Sequence, residues 1–70
     1  MLGDRWFSKL SQYLYRPIRD VFGDSNLDLV NVGYQRAMFR DRKNHTLECF
    51  CGPTGIVNVI LIDGRMVNKG

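Results

Sequence analysis

The 70-residue chain predicts a small α+β fold: an N-terminal amphipathic helix packed on an antiparallel meander of about four strands. Three observations carry that prediction. Residues 56–62, IVNVILI, are apolar at every position but Asn58 and rich in β-branched side chains, as in a strand buried on both faces. Asp63-Gly64 follows at once, and that dipeptide suits a two-residue type I′ turn because both central positions take φ > 0. The first third of the chain carries instead the 3.6-residue periodicity of a helix with one apolar face.

The helix is expected over residues 4–22, with Asp4 as N-cap. At about 100° per residue, Leu2, Trp6, Phe7, Leu10, Tyr13, Leu14, Pro17, Ile18 and Val21 share one arc. Arg5, Lys9, Gln12, Arg16 and Arg19 share the other side as a stripe. Pro17 removes a donor and clashes with the preceding turn. The apolar register continues across it, which predicts a kink near Pro17 in place of a full break. Gly23 suits the C′ position, and residues 23–26 form a turn cluster.

Residues 27–39 read as a strand, paired over about 28–39 and bent at Gly33. Val30, Val32, Tyr34 and Met38 would share one face, and Leu29, Ala37 and Phe39 the other. Helix competes over residues 34–40, where Ala, Met, Gln and Arg favour it. Residues 40–44 are polar and make a loop. Residues 46–51 form the next strand, with Leu47, Cys49 and Cys51 on one side and Thr46, Glu48 and Phe50 on the other. Gly52-Pro53-Thr54-Gly55 is a turn by composition. Symmetric closure would set Cys51 opposite Ile56, Cys49 opposite Asn58 and Leu47 opposite Ile60. The next turn joins residues 56–62 to 65–68 and pairs Leu61 with Met66 and Ile60 with Val67.

One sheet face, with Leu47, Cys49, Cys51, Ile56, Ile60, Ile62 and Val67, is thus expected to receive the helix. The other holds Phe50, Val57, Val59, Leu61 and Met66 and is too apolar to leave wet. Either the sheet curls into a small barrel or a second copy covers it, and a chain this short gains from such a partner. A homo-oligomer is the expectation.

The length corresponds to one domain, residues 1–70. Ten Lys+Arg against seven Asp+Glu give a net charge of +3 and a pI near 9.2, a balance compatible with an anionic partner. The longest purely apolar run, residues 59–62, falls far short of a membrane span, and Asp4, Arg5, Ser8 and Lys9 interrupt any signal-peptide core. A soluble, intracellular (cytoplasmic) protein is expected. Cys49 and Cys51, as i and i+2 on a strand, are poorly placed for a disulfide with each other, which agrees with a reducing compartment.

The chemistry-bearing residues are few. His45, Cys49 and Cys51 form an H-x3-C-x-C pattern of ligands that zinc accepts, but a structural site wants four, and two core thiols with a loop histidine explain the pattern as well. A Cys–His catalytic pair would lack an orienting group and an oxyanion donor. Gly52-Pro53-Thr54-Gly55 lacks the Lys-Ser/Thr of a phosphate loop and precedes a strand. The sequence therefore points to no enzyme, no metal and no cofactor.

The basic residues carry the functional expectation. Arg5, Lys9, Arg16 and Arg19 form the helix stripe; Arg36, Arg40, Arg42 and Lys43 cluster near Tyr34 and Phe39. Cations interleaved with aromatics suit phosphate contacts and base stacking, although a solvated helix face and a soluble loop would look the same. The expected function is that of a small, basic, non-enzymatic protein binding RNA or DNA. A protein–protein adaptor or inhibitor of viral, phage or accessory type, using the apolar sheet face or edge strand, is the alternative. A peripheral membrane protein using the aromatic N-terminal helix comes third, because the sheet needs that helix as its cover.

Overall fold

The computed structural model describes residues 5–67, so Leu2, the Asp4 cap and Asn68 lie outside the described residues. Two short helices, α1 (Arg5–Ser11) and α2 (Ile18–Phe22), precede five strands: β1 (Leu27–Gly33), β2 (Arg36–Asp41), β3 (Thr46–Cys51), β4 (Val57–Ile62) and β5 (Arg65–Met66). The strands form one antiparallel sheet in sequence order, β1-β2-β3-β4-β5, open at both edges and not closed into a barrel.

The helix breaks between Ser11 and Pro17 and does not merely kink. The Ser11 hydroxyl donates back to the Phe7 carbonyl, and the following turn tightens through Leu10–Tyr13, Ser11–Leu14 and Tyr13–Arg16 backbone bonds of i→i+3 type. Tyr15 then takes a left-handed φ of 69°. The cause of the break is the sheet. Tyr15 N–H donates to the Val57 carbonyl at 2.6 Å, Val57 N–H to Arg16 at 2.8 Å and Ile18 N–H to Gly55 at 2.8 Å. Residues 15–18 thus run beside residues 55–57, with Pro17 bridged to Ile56. A continuous helix would deprive those backbone groups of these partners. Pro17, extended at φ −60° and ψ 138°, then starts α2, which ends at Gly23 in ordinary right-handed geometry (φ −81°), without a left-handed C′ residue.

The single long strand expected over residues 28–39 is a hairpin. β1 and β2 are joined by Tyr34-Gln35, with Gln35 at φ 55°. Turn-favouring Gly or Asn is absent there, so the turn has no composition signal. A bulge between Leu29 and Asn31 leaves Val30 unpaired.

The β3–β4 register runs two residues further than symmetric closure of the turn would give: Leu47 faces Ile62 and Cys49 faces Ile60. A bulge then sets Cys51 opposite Val57 and leaves Asn58 unpaired. The bulge inverts the expected sides at the start of β4. Val57 is buried completely, whereas Ile56 is more than a third exposed. Asp63-Gly64 forms the expected turn, at φ 52° and 82°, and pairs Leu61 with Met66.

The core is the layer between the N-terminal segment and one sheet face. Leu10, Tyr13, Leu14 and Val21 pack against Ala37, Phe39, Leu47, Cys49, Val57, Ile60 and Ile62. Each fully buried Leu, Ile, Val or Phe among them contributes roughly 1.5–3 kcal/mol. Phe39, expected beside the basic residues, is 2% exposed and meets Phe22 edge-on at 5.2 Å. Among the described residues no second layer covers the opposite face. A cross-strand row of Met38, Glu48, Leu61 and Met66 runs over it, with Phe50 and Val59 opposed alongside. No helix among the described residues is long and apolar enough to cross a membrane.

Candidate functional site

The eight basic candidates do not form one surface. Because the helix breaks, Arg5 and Lys9 lie on α1, Arg16 sits exposed in the intervening turn and Arg19 lies exposed on α2. The expected four-residue helical stripe is therefore reduced to two residues. Arg36 and Arg40 alternate with Met38 on β2 and belong to the outer sheet face, where the Arg36 guanidinium pairs with Glu48 at 3.3 Å. Tyr34, 88% exposed, sits in the turn at the opposite end of β2 from Arg42 and Lys43, about 20 Å away along the strand.

Tertiary structure instead joins half of each set. Arg5 and Lys9 from α1, and Arg42 and Lys43 from the β2–β3 loop, line one cleft of about 290 Å³. Trp6, Leu10, Asn26 and Asp41 complete its lining. Two side chains hold the loop side in shape. Asp41 Oδ1 accepts the backbone N–H groups of Lys43 at 3.0 Å and His45 at 2.8 Å, and Asn44 takes a left-handed φ of 70°. Asp63 accepts the Thr46 N–H with Oδ1 at 2.9 Å and lies 2.8 Å from His45 Nδ1 with Oδ2. The Thr46 and His45 hydrogen bonds hold the Asp63 carboxyl below its ordinary pKa.

His45 ties this frame to α1. Its ring stacks on the Trp6 indole with centroids 3.7 Å apart and planes 8° from parallel. The contact positions Trp6 at the cleft and fixes the approach of α1 to the loop. On the same side, the buried Tyr13 hydroxyl donates to Asp24 Oδ2 at 2.6 Å, while Asp24 Oδ1 accepts the Asn26 N–H at 2.9 Å. That pair anchors the turn carrying Asn26. The Tyr13 bond is the main cause of a lowered Asp24 pKa, and the nearby Lys9 charge adds to it.

Four cations against one carboxylate, Asp41, give the cleft a positive field. Among the described residues the ion pairs are Arg36–Glu48 and His45–Asp63, so none of the described carboxylates lies within 4.0 Å of the four cleft cations. Arg5, Lys9, Arg42 and Lys43 are all exposed. Concave shape, positive potential and an aromatic wall suit a phosphate-bearing ligand.

The zinc-type trio does not assemble. Cys49 is wholly buried in the core and its thiol is pushed up to about 12, chiefly by burial. His45 is engaged by Trp6 and Asp63, and no group of three or more His, Cys, Asp or Glu among the described residues has the geometry to hold a metal ion. Sequence reasoning missed Trp6, Asn26 and Asp41 as site residues. Asp41 had a legible signal, a carboxylate opening a polar loop; Asn26 had none.

No protein-family model, no curated protein and no solved structure matches this chain.

Proposed function

We propose that this protein is a small, basic, non-enzymatic binding protein that contacts RNA or DNA through the cleft between α1 and the β2–β3 loop. The supporting observation is the meeting of Arg5 and Lys9 with Arg42 and Lys43, more than thirty residues apart in sequence, around one concave site walled by Trp6. A merely solvated helix face requires no such meeting. Each phosphate contact releases condensed counterions, so affinity should fall with salt in proportion to the number of cations engaged.

The test compares two charge reversals of equal size. Arg42→Glu/Lys43→Glu changes two exposed loop side chains in the cleft, where the Asp41 carboxylate grips only backbone N–H groups. Arg16→Glu/Arg19→Glu makes the same charge change away from the cleft. On this proposal the loop pair lowers oligonucleotide affinity by an order of magnitude or more and flattens the salt slope by roughly 1.4–1.8. The control pair changes affinity by a smaller factor. Equal losses would make binding a matter of net charge alone.

A second reading, a protein–protein adaptor, has its own observation. β1 is an edge strand whose Leu29, Val30 and Val32 are 50%, 46% and 58% exposed. Such an edge can accept an added strand from a partner. Saturable capture of one protein, lost on Val32→Lys and indifferent to the cleft reversals, would support it.

A further inference from the structure

Resting on that reading, we infer that the cleft takes one unpaired nucleotide of a single strand and discriminates against duplex nucleic acid. The inference comes from size, wall chemistry and the shortness of the described helices.

A cleft of about 290 Å³ lies at the small end of ligand sites, which run upward from roughly 300 Å³. It has room for a nucleotide-sized group and none for a double helix. Bases paired inside a duplex cannot enter a concavity, whereas an unpaired base can swing out of its strand and be inserted. Trp6, only partly buried, supplies an apolar wall for the base. The Asn26 amide and the Asp41 carboxylate offer donor and acceptor groups to a base edge or a ribose hydroxyl. Arg5 and Lys9 on one side, Arg42 and Lys43 on the other, flank the position and can hold the phosphates on either side of it.

Among the described residues neither helix suits a duplex groove. α1 has seven residues and α2 has five, and each turns a side chain into the core, Leu10 and Val21 respectively. At 1.5 Å per residue the described α1 is only about 10 Å long, and Leu10 turns one side of it to the core, a poor match to a major groove.

Trp6 makes the test direct, because it is the chain's only tryptophan. Its emission reports on the cleft wall and on the His45 stack behind it. The parent protein is titrated with a mixed-sequence single-stranded oligonucleotide and with the same strand annealed to its complement, compared at equal phosphate. The single strand should bind at least tenfold more tightly and change Trp6 emission. With four phosphate contacts its salt slope should be about −3, a loss of roughly fiftyfold between about 50 and 200 mM salt. Asn26→Ala, at an exposed position whose backbone N–H still reaches Asp24, should weaken single-strand binding several-fold and leave duplex binding unchanged. Equal affinity for the two forms, or tight single-strand binding with unchanged Trp6 emission, would overturn the inference while leaving a basic nucleic-acid contact standing. Failure to bind either form would remove both.

Discussion

Replacing Tyr13 by Phe removes one oxygen and tests the hinge between the broken helix and the sheet. Tyr13 is 7% exposed, and its hydroxyl donates to Asp24 Oδ2 at 2.6 Å. A hydrogen bond to a charged group is worth roughly 1.5–3 kcal/mol, and the partial exposure of Asp24 places this one near the lower end. At roughly 2.1 cal/mol/K per residue of unfolding entropy, 1.5 kcal/mol over 70 residues corresponds to about 10 °C in Tm. The pH dependence has two limbs. Asp24 is lowered in the folded state, chiefly by the Tyr13 bond, so its contribution is present above the unfolded carboxylate pKa and is lost as pH falls through the folded one. Tyr13 is raised, chiefly by burial and then by Asp24, so its contribution is present below the ordinary value of 10.0 and is lost as pH rises above it. Thermal melts of parent and Tyr13→Phe across acid, neutral and alkaline pH should therefore differ most near neutrality and converge at both extremes. A variant as stable as the parent at pH 7, or a constant gap at every pH, would refute the assignment of this bond.

Four further outcomes are expected. Gly64→Val places a β-branched residue at φ 82° in the type I′ turn, where a Cβ meets nothing within 4 Å, so backbone strain alone should cost about 1–2 kcal/mol in a denaturant melt. Leu47→Ala or Ile60→Ala empties a fully buried site and should cost about 2–5 kcal/mol, enough to unfold much of a chain this small, as read by circular dichroism at room temperature. Cys49, buried and with its thiol pushed up to about 12, should resist a thiol-specific reagent at neutral pH until the protein unfolds, while the half-buried Cys51 reacts first; mass spectrometry after timed labelling distinguishes them. The outer sheet face, with Phe50, Val59 and Leu61 half-buried and Met66 68% exposed, should drive self-association at micromolar concentration in sedimentation, and Leu61→Asp should abolish it without loss of secondary structure; a monomeric parent would refute this.

Local chemistry made one end of the sheet legible. Asp63-Gly64 can satisfy two consecutive left-handed positions, and the run after Gly55 is too apolar and β-branched to be anything but central strand, so the β4–β5 pairing of Leu61 with Met66 follows from adjacent residues alone. Strand alternation also placed Leu47 and Cys49 on the buried side correctly. The remaining features depend on partners distant in sequence. The amphipathic arc of residues 5–22 is real in composition, yet the chain abandons the helix because the backbone of residues 55–57 needs partners and residues 15–18 meet them. The Tyr34-Gln35 turn uses a glutamine at φ 55°, which only cross-strand pairing on both sides sustains. Bulges at Val30 and Asn58 shift side chains between faces without changing composition, which is why Val57 and Ile56 exchange their expected roles. The cleft is the plainest case. The sequence by itself determined that the chain is basic and where its cations stand along it. Only tertiary structure brought Lys9 to the same cleft as Lys43, through the Trp6–His45 stack and the Asp41 and Asp63 hydrogen bonds, because a site built by contacts across the chain has no local signature.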